Sequence, residues 1–304
     1  MDKLVLCVWN LVRLSGSHVF HVETDTGYDP GERRIEFRMI HRIYENLRLY
    51  FVSAWYSYRA LYAWRTIGPY LSGKVAFPIA QMLFFLYLGK LAGTTDPLYI
   101  VIGHILHLPA ANGLAGVSMT ISGERDFRTL PYLIASPAPR GPLFLGRSFV
   151  HILDGLLSSL AALILGTIFF RIDLAQSNIA LMILCILLIS ITTCGLGLVF
   201  GSLSLRSRDA WTITTMMAIL LYILCGVNFP VDVLPKPLQF FSYGLPLTRG
   251  IQAARLAIAG ANWSTIRPLF LGELEVGLIY ICVGYLMFNR FEKISLVDGQ
   301  IEAM

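Results

Sequence analysis

Charge is what this chain has least of. Asp, Glu, Lys and Arg make up 14% of its 304 residues, against about 25% in an ordinary soluble domain, which excludes a fold surrounded wholly by water. The net charge is +5, but the basic residues are scattered between apolar blocks. They form no dense face of the kind a phosphate backbone requires, and nucleic acid is not an expected partner. A complete nucleotide-binding loop is also missing. Gly68-Pro-Tyr-Leu-Ser-Gly73-Lys74 matches the first seven positions of a phosphate-binding loop, but Val75 stands where Ser or Thr would ligate magnesium. Any ATP hydrolysis is therefore expected in a separate chain. Cysteines are few and none has metal-ligand spacing. Cys185, Cys194, Cys225 and Cys282 lie in apolar stretches and Cys7 in a short N-terminal one, as small buried hydrophobes do. Residues 1–12 carry a lysine and an apolar run like a signal peptide. No small-x-small cleavage site follows, only Arg13, His18 and His21, so a retained cytosolic or interfacial segment is expected.

What the chain has in abundance is apolar sequence, at 56% of residues and a mean hydropathy of +0.64. A hydrocarbon core about 30 Å thick needs roughly 20 apolar residues per helix, and helices satisfy their own backbone inside it. Six stretches meet that need, at 68–90, 98–118, 144–170, 178–203, 210–228 and 268–289. The first holds Lys74, Pro78 and Gln81, with Lys74 able to snorkel to the interface. Ahead of them, 38–64 repeats apolar residues every three or four positions (Ile40, Ile43, Leu47, Tyr50, Phe51, Ala54, Tyr58, Leu61). Arg38, Arg42, Glu45, Arg48 and Arg59 interrupt them, and tyrosine and tryptophan are dense. An amphipathic helix lying on the membrane is the expected form. The predicted organisation is an all-α membrane protein: an N-terminal segment over 1–66, a six-helix membrane domain over 67–290 and a tail over 291–304. Arg125, Arg128, Arg140, Arg147, Arg206, Arg208, Arg290 and Lys293 cluster in alternate connections and the C-terminus, placing both termini in the cytosol.

Ionisable residues inside spans are functional candidates. Asp154 and His151 lie in the third span at i, i+3 spacing, and nine Leu and Ile residues between Ile152 and Ile168 surround them. At about −0.3 to −0.6 kcal/mol each, these offset one aspartate at roughly +2.5 to +3.5, so a His151–Asp154 pair inside the bundle is sufficient and no special role is required. His104 and His107 share a face of the second span without further metal ligands nearby, which suits polar helix packing or cavity lining. Gly197 and Gly201, with Gly195 beside them, allow close helix approach within or between protomers. Glu273 and Glu275 open the last span and are expected at the interface, pairing with Arg267 or the loop arginines.

Two longer stretches carry more information. Residues 123–140 run from a charged turn into a short amphipathic helix between the second and third spans, and Glu124, Thr129, Leu130, Leu133, Ser136, Pro137 and Arg140 fit a pattern E-x-x-x-x-T-L-x-x-L-x-x-S-P-x-x-R. Residues 228–255 place Leu234, Leu238 and Phe241 on one apolar helix face, broken on either side by Pro230, Gly244 and Pro246. Two short helices dipping back into the outer leaflet are expected there, with Phe229, Pro230, Leu234, Pro235, Leu238, Pro246, Leu247 and Thr248 fitting F-P-x-x-x-L-P-x-x-L-x-x-x-x-x-x-x-P-L-T. On these motifs and six spans, residues 45–290 resemble the permease subunits of ABC-2-type transporters. Arg128 departs from the glycine common there.

The resemblance implies an ATP-driven exporter of an amphipathic substrate (a drug, peptide, lipid or lipid-linked glycan) in the plasma membrane. It implies that Glu124, Arg125, Phe127, Arg128, Leu130, Leu133, Ser136, Pro137 and Arg140 form a coupling helix docking on an ATPase. The second stretch would gate a route lined by spans two and five. The implied partners are two ABC-type ATPase subunits, which bind ATP and magnesium, and a second permease protomer; this chain holds no cofactor and is not itself an enzyme. An integral-membrane enzyme using His104, His107, His151 and Asp154, or an ion-coupled transporter, is the alternative. The first lacks a tight acid–base constellation and the second lacks visible inverted repeats.

Overall fold

The computed structural model describes residues 30–63, 76–91, 93, 97–126, 140–170, 174–204 and 209–297. Among them regular structure is helical: α1 (Pro30–Ala63), α2 (Phe77–Leu91), α3 (Pro97–Asp126), α4 (Arg140–Phe170), α5 (Ile179–Ser204), α6 (Ala210–Leu224), a 3-10 turn (Val231–Val233), α7 (Lys236–Gly244), α8 (Thr248–Ile258) and α9 (Trp263–Val297). Residues 45–304 form one compact unit, and the chain up to Tyr44 a separate one whose described part is the start of α1.

Among the described residues four helices are long and apolar enough to cross a bilayer: Leu98–Gly123, Gly146–Phe169, Ile179–Ser204 and Trp263–Phe291. They coincide with the second, third, fourth and sixth expected spans. In the expected first and fifth the described residues form shorter apolar helices, Pro78–Leu91 and Trp211–Leu224, and 68–75 of the first lie outside the described residues. The fifth stops early because the chain bends over 225–229, where Gly226 takes φ +77°, a conformation open to glycine without steric cost. Asp209 starts that helix by accepting a hydrogen bond from Thr212 N at 3.1 Å, and these Thr212 contacts hold its carboxyl below the usual carboxylate range. The second expected span runs on to Asp126, so the predicted charged turn at 123–126 is helical. The stretch 127–139, with Phe127, Arg128, Leu130, Leu133, Ser136 and Pro137, lies outside the described residues, as do the side chains of Glu124, Arg125 and Arg140.

The centre of the unit is α5, which packs on α3, α9, α8, α4 and α6. Its sequence explains this: small residues are interleaved with Ile and Leu on every side, so neighbours approach closely all round. A Cβ on Gly197 would sit 2.8 Å from the carbonyl oxygens of Gly113 and Leu114 of α3, and one on Gly201 would lie 2.6 Å from Ile121 Cδ1. A Cβ on Gly195 would lie 2.7 Å from Ile281 Cγ1 of α9. The glycines thus serve packing within the chain, which settles what their spacing alone left open. Buried hydroxyls add interhelical bonds: Ser159 Oγ to Ile105 O at 3.0 Å, Ser202 Oγ to Gly284 O at 3.1 Å, and Ser118 Oγ with Thr214 Oγ1 at 2.7 Å. Gly197→Ala should cost about 1–3 kcal/mol, because backbone carbonyls cannot swing aside as side chains do. Thermal unfolding in detergent checks this against Gly244→Ala, where a Cβ meets nothing within 4 Å and the change should be neutral.

The helix expected over 38–64 is α1. It docks on α4 through Tyr50, whose ring lies 5.8 Å from Phe149, and through the space at Gly146, where a Cβ would strike Tyr50 O and Ser53 Oγ. Ser53 and Ala54 are buried, while Leu47, Phe51, Trp55, Tyr56 and Tyr58 remain exposed. That apolar, ring-rich exposed face is what an interfacial helix offers to lipid.

Candidate functional site

The polar groups of this apolar bundle gather where residues 225–258 fold back over it. After α6, Cys225 closes the helix on Leu221 O, and Pro230 and Pro235 bracket the 3-10 turn. The two short helices expected here are α7 and α8. Ser242 Oγ of α7 donates to Leu224 O at 2.8 Å, and Thr248 Oγ1 donates to Ser242 O at 2.6 Å. Of the residues proposed for the outer helices, Pro246, Leu247 and Thr248 are buried and Phe229, Pro230 and Leu234 half-buried. Pro235 and Leu238 are exposed. The predicted face of Leu234, Leu238 and Phe241 does not bury itself: Phe241 is 64% exposed and its neighbour Phe240 80%.

The N-terminus of α8 reaches deep. At its other end α8 meets the start of α5, with Ala257 O accepting from Asn178 N at 2.9 Å and Ile258 O from Ser177 Oγ at 2.7 Å. Its first residues instead converge on Glu273, which accepts from Leu247 N at 2.6 Å, Gly250 N at 3.0 Å and Thr192 Oγ1 at 2.9 Å. Thr192 is 13 residues beyond Ile179, or about 20 Å at 1.5 Å per residue. Half the length of α5 separates the two ends of α8, as a helix dipping back into the bundle requires. A helix N-terminus at that depth has amide hydrogens without intrahelical partners, and the positive end of its dipole favours an anion. Glu273 answers both needs. It is fully buried, at 0% exposure, which corrects the expectation of an interfacial residue. The expected pairing with Arg267 gives way to this clasp, because α9 begins at Trp263 and sets Glu273 ten residues inside. Glu275 is exposed.

A second clasp holds the other end. The guanidinium of Arg255, in the last turn of α8, lies 3.4 Å from the centroid of the Tyr99 ring. It donates to Tyr99 O at 2.8 Å, Gly226 O at 3.1 Å and Val227 O at 3.2 Å. A planar fork of donors reaches at once the Tyr99 carbonyl in the first turn of α3 and the carbonyls of Gly226 and Val227, which lie outside any helix. Tyr99 Oη also donates to Gly226 O at 3.2 Å. The start of α3, the turn after α6 and the end of α8 are joined at this one side chain.

Below it, His104 and Tyr222 tie α3 to α6. Tyr222 Oη lies 2.5 Å from His104 Nδ1, and His104 Nε2 lies 3.0 Å from Asn228 Oδ1. The same hydroxyl lies 2.6 Å from His104 Nε2, so it meets both nitrogens of the ring. Phe85 and His107 close the cluster, with ring centroids 5.1 Å from His104 and 4.7 Å from Tyr222 respectively. Both histidines are buried. His151 and Asp154 are buried as well. Thr120 Oγ1 meets His151 Nε2 at 2.9 Å, and Gly116 leaves room for the imidazole, whose Cγ would lie 2.5 Å from a Cβ there. The two pairs of intramembrane residues thus sit in separate junctions, α3 with α6 and α3 with α4. Among the described residues no group of three or more His, Cys, Asp and Glu side chains could hold a metal ion.

A family model described as ABC-2 type transporter matches residues 51–259, from within α1 to just past the end of α8. The chain belongs to the ABC-2 type transporter family. It is accordingly the membrane component of a transporter and a multi-pass membrane protein. No curated protein matches the sequence closely enough to count as a relative. In this ABC-2 domain α8 is built into the bundle by Glu273, which lies beyond the matched range, and by Arg255 within it. Neither stood out in the sequence: Arg255 read as one of several loop arginines and Glu273 as an interfacial acid. A signal for Glu273 existed in its spacing. An acid flanked by Gly272 and Gly277 inside an apolar run marks a place where other chain segments come close.

Proposed function

We propose that this ABC-2 chain is the membrane subunit of an ATP-driven exporter in the plasma membrane, working as a pair of permeases with two copies of a separate ABC-type ATPase. The observation that carries the reading is the family match over residues 51–259, taken with a sequence whose one loop resembling a phosphate site ends in Val75. ATP and magnesium belong to the partner, and this chain carries no cofactor. α2 and α6 complete six spans with both termini in the cytosol, a topology supported by the alternation of Lys and Arg between connections.

Closure of the ATPases would push the segment 124–140 and the interfacial helix α1. A helix tied to α3 and α4 at its two ends converts that push into tilt of both. The route for an amphipathic cargo runs between the two permeases and is closed on the outer side by α7, α8 and the turn before them. The exposed side of α6, with Trp211, Met216, Ile219 and Ile223, is apolar enough to line it.

Affinity purification of the full chain from native membranes, with mass spectrometry of what accompanies it, tests the partnership. A stoichiometric ATP-hydrolysing chain is expected. Recovery of the permease without one, under conditions that keep it transport-competent, would reject the reading.

A further inference from the structure

The two helices of the outer hairpin are held very differently. α8 is fixed at its deep end by a joint between three helices: both oxygens of Glu273 are engaged, Oε1 by Leu247 N and Thr192 Oγ1 and Oε2 by Gly250 N. Two of the three partners are backbone N–H groups, so both oxygens of the carboxyl serve as acceptors in the joint. Glycines bring the parts within reach. A Cβ on Gly250 would lie 2.5 Å from Ile189 Cγ1 and 3.4 Å from Glu273 Cδ, and one on Gly277 would lie 2.7 Å from Thr192 Cβ. Leu247, wholly buried, takes φ 108° and is the one non-glycine residue with positive φ among those described. Such strain persists where the surroundings over-determine a conformation. By contrast, α7 exposes Lys236, Leu238, Phe240 and Phe241, and its bonds to the bundle gather at its last three residues, where Ser242 Oγ donates to Leu224 O, Thr248 Oγ1 to Ser242 O, Arg249 Nη1 to Tyr243 O and Tyr280 Oη to Gly244 O.

We propose that Glu273 is the pivot of the outer gate: the N-terminus of α8 stays clasped to α5 and α9 through the transport cycle, while α7 and the turn over 231–235 swing about it. The reason is the cost of the alternative. Lifting α8 off Glu273 would strand a wholly buried carboxyl group and two amide hydrogens beside Ile189, and a buried polar group left without its bonds is costly. Moving α7 strands far less, since its apolar face is already uncovered. Glu273 is thus a positioning residue, acting on the route through the helix it holds. This rests on the exporter reading above, and it assigns within that reading which part of the gate moves.

The test is amide hydrogen exchange on the full chain with its ATPase in nanodiscs, comparing nucleotide-free and vanadate-trapped states. Peptides covering 247–251 should keep their protection within about twofold between states, while those covering 231–244 should exchange at least tenfold faster in one of them. Glu273→Gln keeps the side chain's size but replaces one acceptor oxygen with an NH2 facing a donor. It should speed exchange at 247–251 at least tenfold and raise the ATP hydrolysed per molecule transported at least tenfold. A residue with a merely structural role would lower both activities together and leave that ratio unchanged. Thr192→Val, which removes the hydroxyl contact and neither amide contact, should fold and show a smaller effect of the same kind; Glu275→Gln should show none. Loss of protection at 247–251 on trapping, equal to that at 231–244, overturns the pivot. Unchanged exchange at 247–251 in the purified Glu273→Gln chain alone overturns the clasp itself. Absence of any nucleotide-dependent change in the chain, with the Glu273→Gln effect intact, instead rejects the exporter reading and the pivot with it.

Discussion

Arg255→Leu is expected to unfasten the outer turn from the bundle and to lower the unfolding midpoint of the purified chain by roughly 5–10 °C. The substitution removes the donor to Tyr99 O, Gly226 O and Val227 O together, and with it the cation over the Tyr99 ring. A hydrogen bond to a charged group is worth about 1.5–3 kcal/mol, and bonds from one side chain do not add fully. A total near 3 kcal/mol is the working figure. The turn cannot recover these carbonyls by repacking. Gly103 is so close to Val227 that a Cβ there would strike its carbonyl, and Gly226 already uses the positive φ that turns the chain. Arg255→Lys should recover only part of the loss, since a point charge on a flexible stem reaches fewer of three fixed acceptors than a planar fork. Thermal unfolding in detergent, with amide exchange at 226–228, reads both effects. An unchanged midpoint would mean that the clasp contributes nothing to the cap.

Leu133→Pro is expected to abolish transport, by at least tenfold, and to release the ATPase partner while leaving the midpoint of the chain unchanged. Proline within a helix removes a backbone donor and clashes one turn back, at about 3 kcal/mol or more. A connection that has to transmit a push between two spans cannot tolerate that loss of stiffness. Glu124→Ala should weaken transport and partner retention in the same direction. Co-purification and vesicle transport measure the two readouts separately. Retention of both in Leu133→Pro would show that the ATPase docks elsewhere.

The sequence announces the long helices because lipid demands them: a run of apolar residues as long as 178–203 admits no other form, and α5 follows it to within a residue at each end. Small residues at 195, 197 and 201 likewise reveal close packing, though spacing alone does not say against which helix. Two features were beyond sequence reading for physical reasons. The end of α6 depends on Gly226 taking a left-handed conformation, and glycine in an apolar run is equally at home in a helix packed tightly. The place of Glu273 depends on α8 folding back across 23 to 26 residues of sequence to present amides at one point. Gly272 and Gly277 beside it announce a close approach, but nothing local to Glu273 says which segment arrives. The histidines illustrate the converse. Their burial was legible from the apolar spans around them, but Tyr222, Thr120 and Asn228, the partners that decide their role, sit on other elements of the chain.

Transport by reconstituted vesicles, assayed with the purified chain alone and then with the companion ATPase it brings from native membranes, bears most directly on the whole account. Movement of an amphipathic cargo only when both chains and hydrolysable ATP are present is the predicted result. Full-rate movement or chemical alteration of the cargo by the permease alone would contradict it.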